Sequence, residues 1–130
     1  MRDYDALLRY VADREAMPFT WGPNDCCSFV AGAIEAQTGA NPVRRAGLTW
    51  TTQRGARRVL KRLGGQQGAV DGILRPIALA MAQRGDAGMI EGEGVPMLVL
   101  IEGVLLAAPG DAGLVRYPRA LLVRAWSADG

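Results

Sequence analysis

The sequence predicts an α+β domain in which helices come first and a small antiparallel sheet follows. Three observations carry that reading. Up to about residue 83 the apolar residues recur at helical spacing. After Gly85 the apolar runs become short and turn signals frequent, as in a meander of strands. The chain has 130 residues, 49% hydrophobic and 22% charged, which suits one globular core and leaves little room for a second. The expected unit is therefore a single domain over residues 1–130.

The first helix is expected from Asp3 to about Ala16. Leu7, Leu8, Tyr10 and Val11 form its apolar stripe, Arg9, Asp13 and Arg14 its polar complement, and Pro18 ends it. A loop with two prolines and two aromatics, Pro18 to Pro23, follows. The second helix starts at Asn24-Asp25, where either side chain can cap free N–H groups. It runs through Phe29, Val30, Ala33 and Ile34 and stops near Gly39. Its small, apolar residues place it centrally. Asn41 to Trp50 reads as irregular. Thr51 or Thr52 caps a third helix with Val59, Leu60 and Leu63 inward, broken by Gly64-Gly65. A weaker fourth helix is expected over about Val70 to Gln83, with Pro76 opening its second part or kinking it. Strands are expected at about Ala87–Glu91, Pro96–Glu102, Val104–Ala108, Gly113–Tyr117 and Leu121–Trp126.

Composition excludes several chemistries. The chain has no histidine, so His-metal sites and Cys-His or Ser-His pairs built from this chain alone are ruled out. Its two cysteines, Cys26 and Cys27, are adjacent, which gives no disulfide framework and a poor zinc site. No metal or cofactor is expected. The longest charge-free apolar run of the C-terminal half falls far short of the ~20 residues that span a bilayer. The mixed charges of the first residues do not read as an export signal, so synthesis and folding in a cytosol are expected.

The formal net charge of +2 is unevenly spread. Ala36 to Val70 holds no acidic residue but carries Arg44, Arg45, Arg54, Arg57, Arg58, Lys61 and Arg62. Three readings stay open: a solvated helix face, a surface for an acidic protein, or a nucleic-acid surface. The last lacks stacking aromatics beyond Trp50. The docking face, if there is one, is Arg54, Arg57, Arg58, Lys61 and Arg62.

One local feature stands out, Phe19-Thr-Trp-Gly-Pro-Asn-Asp-Cys-Cys-Ser-Phe-Val30. It puts Cys26 on the first turn of a buried helix. The positive end of the helix dipole favours a thiolate there, and free backbone N–H groups can serve an oxyanion. Residue type and position suit a nucleophile.

This stretch resembles the nucleophile region of NlpC/P60-type cysteine peptidases. More closely, it resembles a phage and prophage group of that superfamily with the signature PFxWGxxDCxxF. Pro18, Phe19, Trp21, Gly22, Asp25, Cys26 and Phe29 match it, and Gly85-Asp86, Gly113-Leu114 and Ala125-Trp126 fit the later part. The resemblance implies an NlpC/P60-like fold with Cys26 at the nucleophile position. The superfamily's histidine would fall near Pro96 and its third polar residue near Ala107, and neither can move a proton.

For Cys26 this leaves a buried residue without chemistry, a nucleophile with an unconventional base, or a base lent by a partner chain. Trp21 is expected to pack its loop onto the sheet, Asp25 to cap the helix, and Asp86 to act in a turn. Glu91 and Glu93 read as a solvated pair. Asp86 and Glu102 are the carboxylates nearest the expected sheet site.

The resemblance then implies a structural or assembly protein of a phage tail tip, located in the virion tail, with a degenerate peptidase fold. Its partners would be other tail or baseplate proteins and possibly copies of itself, with no nucleic acid and no membrane. The enzymatic alternative is a cysteine amidase or peptidase acting on peptidoglycan peptides through Cys26. A third reading is a basic binding module unconnected with tails.

Overall fold

In the computed structural model, residues 2–92 and 94–130 are described. Five helices precede most of a six-stranded, wholly antiparallel sheet. The helices are α1 (Tyr4–Arg14), α2 (Cys26–Thr38), α3 (Pro42–Arg45), α4 (Gln53–Arg62) and α5 (Gly65–Asp71). The strands are β1 (Pro76–Ile77), β2 (Ala87–Gly92), β3 (Val95–Ile101), β4 (Leu105–Gly110), β5 (Gly113–Pro118) and β6 (Arg124–Trp126). Across the sheet they lie in the order β1-β6-β2-β3-β4-β5. The α+β class follows directly.

Local chemistry sets the helix ends. Asp3, Asp25, Asn41 and Thr52 each accept a hydrogen bond from a first-turn N–H of the helix they precede. Gly39 ends α2 in the left-handed conformation, as expected for the residue after a helix. Asn41 to Trp50 is not wholly irregular, because Pro42 opens the one-turn helix α3.

The fourth helix is where the sequence reading fails. The helix lies earlier, at Gly65–Asp71, and Pro76–Ile77 are extended. Proline lacks an N–H and pushes the residue before it out of the helical region. Pro76 and Ile77 instead pair with Trp126 and Ala125 as β1, and Leu79–Met81 forms a single 3₁₀ turn. The sheet therefore gains a strand from before Gly85. The last expected strand is shorter than its apolar pattern, since Arg119–Leu121 turns as 3₁₀ and pairing starts at Arg124.

Two apolar clusters flank the sheet. Between helices and sheet lie Leu7, Val11, Phe29, Val30, Ile34, Leu98, Leu100, Ala107 and Trp126. On the opposite face Val99, Ile101, Ile90 and Leu106 pack with Ala82 and Leu122. The period-two alternation of β3 divides its side chains between the two cores. Burying both faces explains why the strand reads as a continuous apolar run.

Charge closes the molecule at two points. Arg116 of β5 forks to both oxygens of Glu15 (2.8 Å each) and meets Glu102 at 2.6 Å, tying the end of α1 to the sheet. Asp86, fully buried, accepts from Arg2, from the Gln83 N–H (2.9 Å) and from the Ala128 N–H (2.9 Å). One carboxylate thus joins both chain ends to the start of β2. Asp86→Ala would remove the buried partner of the Arg2 guanidinium, leaving it the more exposed Asp129 and the Arg84 carbonyl, and would leave two backbone donors unmatched. It is expected to cost about 3–5 kcal/mol in urea unfolding, whereas Glu91→Ala, on an exposed position, should stay within about 0.5 kcal/mol.

Candidate functional site

The site is built on the start of α2. Asp25, almost wholly buried, accepts from three directions: the Ser28 N–H at 2.9 Å, the Gly22 N–H at 2.9 Å and the Trp50 indole N–H at 2.6 Å. The expected cap is present, and the same carboxylate also binds the preceding loop and the chain entering α4. Gly22 has φ +94, and a Cβ there would lie 2.9 Å from the Trp50 carbonyl oxygen. Only glycine meets both demands. Asn24, also buried, donates to the carbonyls of Met17 and Pro18, and Phe19 donates to the Gly110 carbonyl of β4. The loop is thereby fixed to the sheet by its Phe19 backbone. Trp21 rests edge-on against the Phe19 ring, with centroids 4.8 Å apart, and stays partly exposed.

Cys26 is the first residue of α2 and packs against the core between helices and sheet. That is the placement expected for it. Both cysteines are free and half-buried. Gln66 of α5 brings its side-chain nitrogen 3.8 Å from the Cys26 sulfur and 3.9 Å from that of Cys27. A hydrogen bond from the Cys27 thiol holds Cys26 below the ordinary thiol range. Burial opposes the shift, the Leu98 backbone adds to it, and the neighbouring Asp25 carboxylate opposes it. The same contact pushes Cys27 well up, and burial reinforces that.

The Leu98 backbone is available because the sheet divides beside it. The β2–β3 ladder continues to Val95 and the β4–β5 ladder to Gly110. The register between β3 and β4 covers only Leu100↔Ala107 and Ile101↔Leu106. Ile101 gives its N–H to Asp86 on the β2 side, so by alternation Leu98 faces β4. The residue that would come opposite is Pro109, which has no N–H to return. The end of β4 is held instead by Phe19.

The other residues singled out by sequence lie as follows. Pro96 is exposed near the start of β3, and Ala107 is fully buried on β4. Asp86 and Glu102, the two carboxylates considered as bases, are engaged elsewhere, by Arg2 and two backbone donors and by Arg116 respectively. Glu91 is exposed, and Glu93 lies outside the described residues. Arg54, Arg57, Arg58, Lys61 and Arg62 are all exposed on α4, and none has an acidic partner among the described residues. Among the described residues no group of three or more His, Cys, Asp or Glu side chains converges to hold a metal, and no helix is long and apolar enough to cross a membrane.

Sequence reasoning missed Gln66, which sits in a Gly-rich stretch that reads only as a helix break. It also missed the cover that α3, α4 and α5 form. They enclose, with α2, a small apolar cavity of about 40 Å³ lined by Cys27, Trp50, Leu60 and Gln66 among others. The arrangement favours the Cys26 thiolate, but the side chains beside the sulfur among the described residues are the Cys27 thiol, Gln66 and an Asp25 carboxylate already held by three donors, with no imidazole to pass a proton to a leaving group.

The chain belongs to the family described as Domain of unknown function (DUF6950), whose profile matches residues 1–128. No curated protein matches the chain.

The geometry sets an expected order of thiol reactivity. Iodoacetamide should modify Cys26 before Cys27, with a pH–rate midpoint below that of a free thiol, near 8.5. Peptide mapping by mass spectrometry across a pH series reads both. Preferential labelling of Cys27 would show that the Cys27 thiol is not the donor.

Proposed function

We propose that this protein is a structural or assembly component of a phage, or phage-like, tail tip, built on an NlpC/P60-like scaffold that has lost peptidase turnover. The observation that carries the second half is the surroundings of the Cys26 sulfur. Its polar neighbours include Cys27, Gln66, the Leu98 backbone and the Asp25 carboxylate, which three donors already occupy. None of them shuttles protons as imidazole does. Amide cleavage by a thiol needs a base for the thiol proton and then an acid for the leaving amine. A stabilised thiolate answers the first need only. The expected histidine region holds Pro96, and Ala107 is a methyl group in the core.

The tail assignment rests on the PFxWGxxDC resemblance, and the structure gives its residues physical work. Gly22, Asp25 and Phe19 assemble the loop, cap and sheet anchor of the α2 start. That architecture serves a scaffold whether or not the thiol reacts. The α4 face then supplies a surface for tail or baseplate partners. Arginine forms two-point pairs with carboxylates, so a row of unpaired arginines suits an acidic protein surface.

Two outcomes are expected. Purified protein should release muropeptides from peptidoglycan at least about 10³-fold more slowly than a Cys-His enzyme of this type, and Cys26→Ala should leave the trace unchanged. Robust release that vanishes in Cys26→Ala would establish the enzymatic alternative. In particles, the double variant Arg57→Glu/Arg58→Glu should lower incorporation severalfold while the isolated chain keeps its unfolding midpoint within about 0.5 kcal/mol. Normal incorporation would reduce α4 to a solvated face.

A further inference from the structure

A groove of about 450 Å³ runs over the side of α2 turned away from the sheet, within the ~300–1,000 Å³ typical of ligand clefts. Tyr10 and Arg14 of α1 form one wall, and α3 with the chain after it forms the other. The floor is Ser28, Ala31 and Gly32. These residues are small; Ala31 is buried and the Tyr10 hydroxyl lies over Gly32, so Ser28 is the most open part of the floor. Gly32 cannot be larger, since an added Cβ would overlap the Tyr10 hydroxyl, which donates to the Phe29 carbonyl at 2.8 Å.

The charges in this groove do not balance. Glu35 is satisfied by Arg44 at 2.7 Å and by Asn41 at 3.2 Å, and those contacts hold its carboxyl below the usual carboxylate range. Arg14 has no such match. Its guanidinium lies 4.0 Å over the Tyr10 ring, its Nε is buried without a hydrogen-bond partner, and no carboxylate among the described residues pairs with it. A buried guanidinium donor without an acceptor is costly, and native structures rarely keep one without a reason. Stacking on Tyr10 holds the planar fork in one orientation, which lowers the ordering cost of two-point binding.

We propose that this groove is a docking site for an extended, acidic peptide segment of a partner protein, with Arg14 receiving a Glu or Asp carboxylate. One unpaired cation matches one carboxylate. A dianionic phosphate is a poorer fit, because the groove's other cation, Arg44, is already committed to Glu35 and a second negative charge would go unmatched. The groove, at about 450 Å³, is larger than one small anion fills, which favours a carboxylate carried on a peptide segment. The site is separate from the α4 face and does not depend on the tail-tip reading.

The experiment uses the full ¹⁵N-labelled chain, observing the Arg14 Nε–H and Gly32 amide signals. The probe is the capped peptide acetyl-Gly-Glu-Gly-amide. Controls are the Gln analogue, sodium acetate and inorganic phosphate. Saturable shifts of both signals are expected with the Glu peptide, at an affinity about tenfold or more above that of the Gln analogue and of either free anion. Arg14→Gln should abolish binding. Arg14→Lys, which keeps the charge but loses the fork, should weaken it severalfold. Arg57→Glu/Arg58→Glu should leave it unchanged. If Arg14→Gln does not fold, the comparison of Glu and Gln peptides on the native chain still decides. Absence of saturable shifts at several millimolar peptide, equal response to the Gln analogue, or shifts centred on α4 would overturn the proposal. Equal response to acetate or phosphate would assign the groove to a free anion and overturn the peptide.

Discussion

Asp25 is the constraint on which the rest of the site depends. A buried carboxylate must be met by donors, and here they come from three separate pieces of chain: the Gly22 loop, the first turn of α2 and the Trp50 indole. Meeting that need fixes where α2 begins and hence where Cys26 stands. It also fixes the path of the chain into α4, which in turn delivers α5 and Gln66 over the two sulfurs. A cap is ordinarily a local device worth about 0.5–2 kcal/mol. Here the same oxygens hold a long-range junction, and the helix start, loop and cover form one unit.

The cysteine pair illustrates the difference between stabilising a charge and moving a proton. The Cys27 thiol, the Leu98 backbone and the end of the α2 dipole all favour a thiolate on Cys26. None of them exchanges a proton at neutral pH. The carboxylate next to the sulfurs, Asp25, pushes both thiols up and is itself held by three donors. The two carboxylates considered as bases are committed elsewhere: Asp86 closes the chain ends onto β2, and Glu102 holds Arg116 with Glu15. Releasing either one for acid–base work would unpair buried or half-buried arginines. The frame that stabilises the domain therefore also withholds its carboxylates from the sulfur.

The same economy of pairing frames the surface. Arg2, Arg44 and Arg116 each have carboxylate partners, and among the cations without one in the described residues the row on α4 and Arg14 at the groove stand out. The α4 row is fully solvated, where an unpaired charge costs little. Arg14 is different, because its Nε is out of water.

Much of this was legible in one dimension. Caps, proline stops and helical spacing located α1, α2 and α4, and alternating apolar residues with glycine turns located β2 to β5 within a residue or two. Those signals are local, and each helix end or tight turn is settled by groups a few residues apart. The aromatic-Gly-Pro-Asn-Asp-Cys stretch likewise placed Cys26 at a helix start. The failures came where distant chain decides. The span from Val70 to Gln83 has helical spacing, yet Trp126 and Ala125 offered an unpaired strand edge that took Pro76 and Ile77 instead. Gln66 and Arg14 gave no signal at all, since a glutamine in a Gly-rich break and an arginine on a helix's polar side are ordinary. Their meaning is set by what packs across from them: two sulfurs 39 or 40 positions away for Gln66, and a tyrosine ring and a small-residue floor for Arg14. The sequence by itself determined the helices, turns and nucleophile-type position, because these depend on neighbours along the chain. Tertiary structure alone decided which polar groups meet beside the thiol and which arginine has its Nε buried without a partner, because those depend on neighbours through space.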